Sequence, residues 1–312
     1  MLTVITCTLN PRPKVFRRVM DALAAQTLDR SEWDYLVVDN GSDTPVEQVC
    51  DVGWRRDVKV VREPERGLTR ARLRGIAESQ NPLLVFVDDD VVLNPDYLAN
   101  VAGYFGKYPF LGVVGGCGHA EYECSYPEWM KEFLGLVMDE RFAPVAKANF
   151  QFAMVRQAGP WIPAGSGMAV RREIADAYRS MVLGDPFRLD LDRKGGGLAG
   201  CGDTDMAYTA IDLGMASATA LDLQFTHVIP PHRVEPRYME RLLYATNFYS
   251  ARLLVHRGWR QAVASPPRTL LNRIRHALSF HVPRAWPDRC WRAYAKGYND
   301  GITGSPFDPH FL

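Results

Sequence analysis

Three consecutive carboxylates, Asp88, Asp89 and Asp90, close an apolar run in the stretch VFVDDDVVL at residues 85–93. Like charges this close repel one another, and such crowding persists where a cation neutralises it. Hard oxygen donors suit Mg²⁺ or Mn²⁺, and a diphosphate would complete the coordination shell. The competing reading is a strand-ending loop with solvated acids. A further acid, Asp39, ends a second apolar run in VVDNGSD, residues 37–43. It could accept a hydrogen bond from a nucleobase imide, or it could only cap backbone amides, because Asp-Asn-Gly-Ser is ordinary turn chemistry. In GCGDTDMAYTAIDLG, residues 200–214, a glycine turn runs into a helix with Asp203 at its start. That is where an N-cap belongs, and equally where a carboxylate can face a cleft as general base. Asp205 falls further round the helix and faces elsewhere. His227, in QFTHVIPPH at 224–232, would make a third protein ligand beside the triple acid, with His232 a weaker candidate. Arg70, Arg72 and Arg74 in RGLTRARLRG, residues 66–75, carry guanidinium forks suited to phosphate and planar polar groups. A solvated basic helix face accounts for Arg70 and Arg74.

These side chains need a frame that brings distant segments together. Residues 2–8, 34–38, 57–62 and 83–87 read as strands, separated by helical spacing at 14–26 and 67–79. Strands alternating with helices argue an α/β fold with a mainly parallel sheet, and continuous apolar strands fit a sheet covered on both faces. Polar clusters follow the first, second and fourth strands, and open parallel sheets bind ligands at strand carboxyl ends. One site built from three strand ends is the expectation. The second half is less regular. Residues 111–125 are Gly-rich and strand-like, 184–202 read as a mobile Asp- and Gly-rich loop, 219–229 as a strand, and Pro236 to Gly258 as a helix. No linker separates two domains. The expected organisation is a catalytic domain over 1–258, with a nucleotide-sugar-binding half at 1–110 and an acceptor half at 111–258, followed by a helical extension over 259–312.

Bulk properties narrow the field. With 37 Lys+Arg against 36 Asp+Glu, the net charge of +1 offers no electrostatic case for nucleic acid as a partner. Six scattered cysteines without a CxxC pair argue against a structural zinc site or a disulfide framework, and point to a reducing, cytoplasmic setting. The N-terminus does not read as a secretory signal, and no run of apolar residues is long enough to span a membrane. Leu270, Ile274 and Leu278 share a helix face among Arg268, Arg273, Arg275 and His276, with Trp286, Trp291 and Tyr294 following. That segment suits weak peripheral contact with the inner face of the plasma membrane. The preferred alternative is packing on the catalytic domain or on a second copy in a homodimer.

Taken in order, VITCTLNPRP, EWDYLVVDNGSD, REPERGLTRARLRGI, LLVFVDDDVVLNPDYL, IPAGSGMAVRR, GCGDTDMAYTAIDLG and FTHVIPPHR resemble the motifs of bacterial family 2 inverting glycosyltransferases, over roughly residues 1–255. The resemblance implies the GT-A fold, a Rossmann-like sheet flanked by helices. It implies that Thr8, Asn10 and Arg12 line the nucleobase pocket, that Asp39 binds the base (uracil in many members), and that Arg72 sits near the nucleotide. Asp88 and Asp90 match the outer acids of the DxD metal motif with Asp89 between them on the nucleotide side. Asp203 matches the catalytic base, and His227 a metal ligand of some members. The implied cofactor is Mn²⁺ or Mg²⁺. The implied partners are a nucleotide-diphosphate sugar, UDP-linked in this reading, and a glycan, lipid-linked or small-molecule acceptor. Two departures stand out: Gly202-Asp203 where many members have Glu-Asp, and Asn10-Pro11-Arg12 where Asn-Arg is common. The rival readings are a nucleotidyltransferase acting on a sugar phosphate, which would release pyrophosphate, and a non-catalytic sugar-nucleotide binding protein, which would be expected to have lost the acids. The absence of GxGxxG after the first strand argues against a Rossmann dehydrogenase.

Overall fold

A computed structural model describes residues 1–54, 57–137, 149–263 and 285–311. Strand β1 (Leu2–Thr8) is buried along its whole length, so both of its faces must be covered. It pairs in parallel with β2 (Trp33–Asp39) on one side and β4 (Leu83–Phe86) on the other, and β3 (Lys59–Arg62) continues in parallel beyond β2. This is the expected parallel sheet. Beyond β4 the sheet becomes mixed. Short β8 (Ala169–Arg171) runs antiparallel between β4 and β6 (Leu111–Tyr122), β6 runs parallel to β9 (Ala216–Ile229), and β5 (Val91–Leu93) and β7 (Phe150–Ala153) run antiparallel to β9. A strand's apolar pattern reports the faces it buries and not its direction. Direction comes from the connection, and β8 enters from a loop rather than from the crossover helix that a parallel pair needs.

Side chains alternate across the sheet, as the period of a strand requires. Leu2 and Val4 of β1 join one core with Phe16, Val19 and Leu23 of α1 (Pro13–Ala24) and Leu98 and Val101 of α4 (Tyr97–Lys107). Ile5 and Cys7 point the other way, into a core shared with α3 (Leu68–Glu78), α6 (Arg172–Leu183) and α8 (Gly202–Asp212). Each fully buried aliphatic or aromatic side chain here contributes about 1.5–3 kcal/mol of transfer free energy. Between these elements lie three short helices, α2 (Val46–Val49), α5 (Lys131–Val137) and α7 (Pro186–Leu189). Helix α7 belongs to the segment expected as a mobile loop. Asp185 caps it by accepting from the Phe187 and Arg188 amides, and the same segment buries Arg188 and Asp192.

The C-terminal part packs on the body of the protein. Helix α10 (Trp286–Thr303) lies along α9 (Pro236–His256), and Tyr244, Phe248, Ala293 and Phe311 form a core between them. Trp291 donates from its indole N–H to Glu132 at 3.1 Å and lies 5.2 Å from the Phe133 ring, while Tyr294 packs against the core cluster to which Phe133 and Leu134 belong. Trp291 thus reaches α5 while remaining exposed, and the stripe at 268–278 lies outside the described residues. Among the described residues no helix is long and apolar enough to cross a membrane. All six cysteines lie among the described residues, and none is in a disulfide.

Candidate active site

The strand ends of β1 and β4 open into a cavity of about 770 Å³ lined by Thr8, Arg72, Asp88, Asp89, Asp90, Asp203 and His227. Strand pairing assembles this set. Parallel registration of β1 with β4 carries Thr8 to the triple acid, where its hydroxyl donates to Asp89 in a short hydrogen bond. Antiparallel pairing of β5 with β9 sets Val91 opposite His227, and the Val228 amide donates to the Asp90 carbonyl at 2.9 Å. His227 Nε2 consequently lies 3.4 Å from Asp90 Oδ1. Arg233, which the sequence reading did not single out, reaches both: its guanidinium is 3.2 Å from His227 Nε2 and 3.7 Å from Asp90 Oδ2. His232 points elsewhere and stacks edge-on against Tyr238 at 5.7 Å.

The three acids are not equivalent. Burial raises Asp88 above the usual carboxylate range, opposed by Arg72, and Ser166 donates to it at 3.1 Å. Burial and the neighbouring charge of Asp90 raise Asp89. Burial also opposes ionisation of Asp90, but His227 and Arg233 outweigh it and hold Asp90 below the usual range. Among the described residues no three His, Cys, Asp or Glu side chains already converge as a cation cage. The donor types nevertheless suit a hard divalent ion: the Asp88 and Asp90 carboxylates and the His227 imidazole line the same cavity, where Arg72, His227 and Arg233 offset the buried negative charge.

Asp203 lies on the first turn of α8, one residue inside the helix and not at its N-cap, which is Cys201. Its Oδ2 accepts from the Gly165 amide at 2.6 Å and its Oδ1 from the Thr204 amide at 2.6 Å. Burial raises its pKa above the usual carboxylate range, Arg72 pulls it back, and Asp192 pushes it further up. Side chains close over the glycine at 165: a Cβ there would lie 2.5 Å from Arg72 Nη2 and 3.1 Å from Asp203 Oδ2. Asp205 faces away from the cavity, fully buried, and accepts from Arg188 and Arg257, each at 2.7 Å.

Three residues expected in the nucleotide pocket lie outside the cavity lining. Asp39 accepts from the Ser42 amide at 2.8 Å and the Val46 amide at 3.2 Å, which is the capping alternative. Asn10 sits at φ 53, donates to Asp43 and accepts from the Asp43 amide. Arg12 spans to the other half of the sheet, donating to Glu123 at 2.5 Å and to the Val228 carbonyl at 3.1 Å. Asn40, next to Asp39, lines the cavity instead and accepts from the Gly67 amide at 2.7 Å. Asp192 carries no local sequence signal, yet its carboxylate accepts from Arg72 at 2.9 Å with both side chains almost fully buried. A buried arginine demands a counter-charge, but nothing in the spacing around residue 192 says where it comes from.

A family model described as glycosyl transferase family 2 matches residues 3–179, more than half of the chain. Validoxylamine A glucosyltransferase of Streptomyces hygroscopicus subsp. jinggangensis is 31% identical over 132 residues, 41% of this chain and 31% of that protein. Glucosyl-dolichyl phosphate glucuronosyltransferase of Haloferax volcanii is 26% identical over 145 residues, 45% of this chain and 46% of that one. The matched stretches thus span a third to a half of these relatives' length. Among solved structures, the mannosyltransferase PcManGT of Pyrobaculum calidifontis, in complex with GDP-Man and Mn2+, superposes with a TM-score of 0.54 at 21% identity, covering 98% of this chain and 76% of that one. Residues 1–349 of S. aureus TarS, in complex with UDP, superpose with a TM-score of 0.52 at 13% identity, covering 98% and 93%. Those two likenesses show a shared GT-A fold, and the family match places the chain in glycosyl transferase family 2.

Proposed function

We propose that this chain moves a glycosyl group from a nucleotide-diphosphate sugar, UDP-linked as the first choice, to an acceptor hydroxyl in one inverting displacement. The observation that carries this reading is the placement of Asp203: a buried carboxylate, fixed by two amides, lining the same cavity as the triple acid. In this reading Asp203 takes the acceptor's proton as the hydroxyl attacks the anomeric carbon from the face opposite the leaving diphosphate. Asp88, Asp90 and His227 would hold Mn²⁺ or Mg²⁺, whose positive charge would offset that of the diphosphate leaving group. Thr8, Asp89 and Arg72 sit on the nucleotide side. The nucleotide role of Asn10, Arg12 and Asp39, which lie outside the cavity lining and bond to Asp43, to Glu123 and Val228, and to the Ser42 and Val46 amides, rests on the family resemblance alone. The acceptor enters along α9, whose Leu242, Thr246, Ser250 and Leu254 recur every fourth residue and wall the cavity.

The test is a panel of nucleotide-diphosphate sugars, UDP- and GDP-linked, incubated with Mn²⁺ with and without simple alcohol acceptors. Release of nucleoside diphosphate from at least one donor is expected. Pyrophosphate release from a nucleoside triphosphate and a sugar phosphate would transfer the reading to a nucleotidyltransferase. Tight donor binding with no product would leave a binding protein.

A further inference from the structure

Residue 202 is a glycine, and the space its side chain would take is already filled. A Cβ at 202 would lie 2.1 Å from Asp192 Oδ2 and 2.6 Å from Asp192 Cγ. Asp192 comes from the connection between α7 and α8 and makes three contacts there. Its Oδ1 accepts from the Gly202 amide at 3.0 Å, and its Oδ2 accepts from Arg72 at 2.9 Å and from the Thr69 hydroxyl at 3.2 Å. One carboxylate thus caps the first turn of α8 from outside the helix and neutralises the Arg72 guanidinium in the cavity wall. Asp88 and Asp203 are the other acids whose charge acts on Arg72. Arg72 and Asp203 both crowd against Gly165. Without Asp192, the guanidinium would turn to one of the carboxylates that face the cavity.

We propose that Asp192 is a positioning residue that supplies, from a loop, the acid for which the backbone at 202 leaves room, keeping Arg72 off Asp203 and aiming Asp203 into the cavity. The role given to Asp203 rests on the function proposed above, whereas the equivalence of an acid at 192 and one at 202 does not. The pairing has two consequences. An acid can occupy position 192 or position 202, but not both, because the two side chains claim the same volume. A charge moved from 192 to 202 should serve Arg72 again.

Four variants test this: D192N, D192G, G202D and the double variant D192G/G202D, each assayed for nucleoside diphosphate release from the best donor of the panel and for urea denaturation without substrate. D192N keeps the shape of the side chain and loses its charge, so it is expected to lower kcat about a hundredfold, the usual cost of a misplaced reacting group, while KM for the donor moves far less. D192G is expected to be at least as impaired. The double variant is expected to recover kcat to within about tenfold of wild type, and G202D alone to be worse than the double. Wild-type kcat in D192N, or a folded double variant no better than folded D192G, would overturn the proposal. If D192G does not fold and the double does, that rescue is itself the expected coupling. Should no donor release nucleoside diphosphate, glycosyl transfer falls as the function. The denaturation midpoints then still decide the pairing: stability restored in the double supports it, and additive losses sink it.

Discussion

Asp203 and Asp205 stand two residues apart on the same first turn of α8, and the structure puts them to opposite uses. Asp203 lines the cavity and is held by the amides of Gly165 and Thr204. Asp205 lies on the far side of the helix, fully buried between the guanidinium groups of Arg188 and Arg257, which also donate to Thr209. Amides orient a carboxylate and leave its charge available to a proton; two arginines consume that charge. The same division runs through the site. Asp88, Asp90 and Asp192 all line the cavity, but the Asp192 carboxylate is bonded to Arg72 and to the Gly202 amide. Sequence identity of the acid says nothing about its use; the partner on the neighbouring element decides.

The largest effect separates the two groups by chelation. Exhaustive EDTA treatment is expected to abolish donor turnover, with Mn²⁺ restoring it, while the unfolding midpoint barely moves, because the inward-facing acids are neutralised by arginine. Full turnover after chelation would remove the cation from the reaction. Next in size is Asp205→Ala. Removing one partner of a buried charge cluster costs about 3–5 kcal/mol of stability. The folded fraction is expected to keep its turnover per active molecule, measured by urea titration beside a rate normalised to donor binding. A loss of turnover without a loss of stability would erase the contrast with Asp203.

A smaller effect is read from pH. Burial raises the pKa of Asp203, and a base works only when ionised. Turnover is therefore expected to rise with pH through an acid limb lying above the usual carboxylate range. The sign for stability is the reverse. Between the unfolded and folded pKa values the native state retains the proton, so the contribution of Asp203 to stability falls as pH rises through that window. An acid limb at the ordinary carboxylate position would contradict a desolvated base. Smallest of all is the effect expected at the exposed helix face: Arg74→Ala loses a surface pair with Glu78 and should shift stability by about 0.5 kcal/mol or less, with turnover intact.

How much of this was legible in the sequence follows from where each partner lies. The triple acid was legible because β4 is apolar up to Phe86 and the run of aspartates begins two residues later. Asp203 was legible from the glycine turn before it, although the helix starts one residue earlier than expected and the cap comes from Asp192. His227 could be named but not placed, since its approach to Asp90 depends on the registration of β5 with β9. Arg233 and Asp192 were invisible for the same reason: the partners of Arg72 and Asp90 lie 120 and 143 residues away in the chain, and no local periodicity encodes such pairing. For Asp39 the sequence left two uses open; the Ser42 and Val46 amides donate one hydrogen bond to each of its oxygens, and each oxygen keeps a lone pair. The parallel half of the sheet was legible through its alternation with helices, whereas the direction of β8 depends on a connection that has no helical signature.

The central claim is that Asp203 is the base. Its most direct test is Asp203→Asn, with donor affinity measured by calorimetry and turnover by nucleoside diphosphate release on the same preparation. Retained affinity with turnover lowered by roughly two to four orders of magnitude is the expected result. Turnover equal to wild type would contradict it and leave Asp203 as a helix-start residue with a structural role.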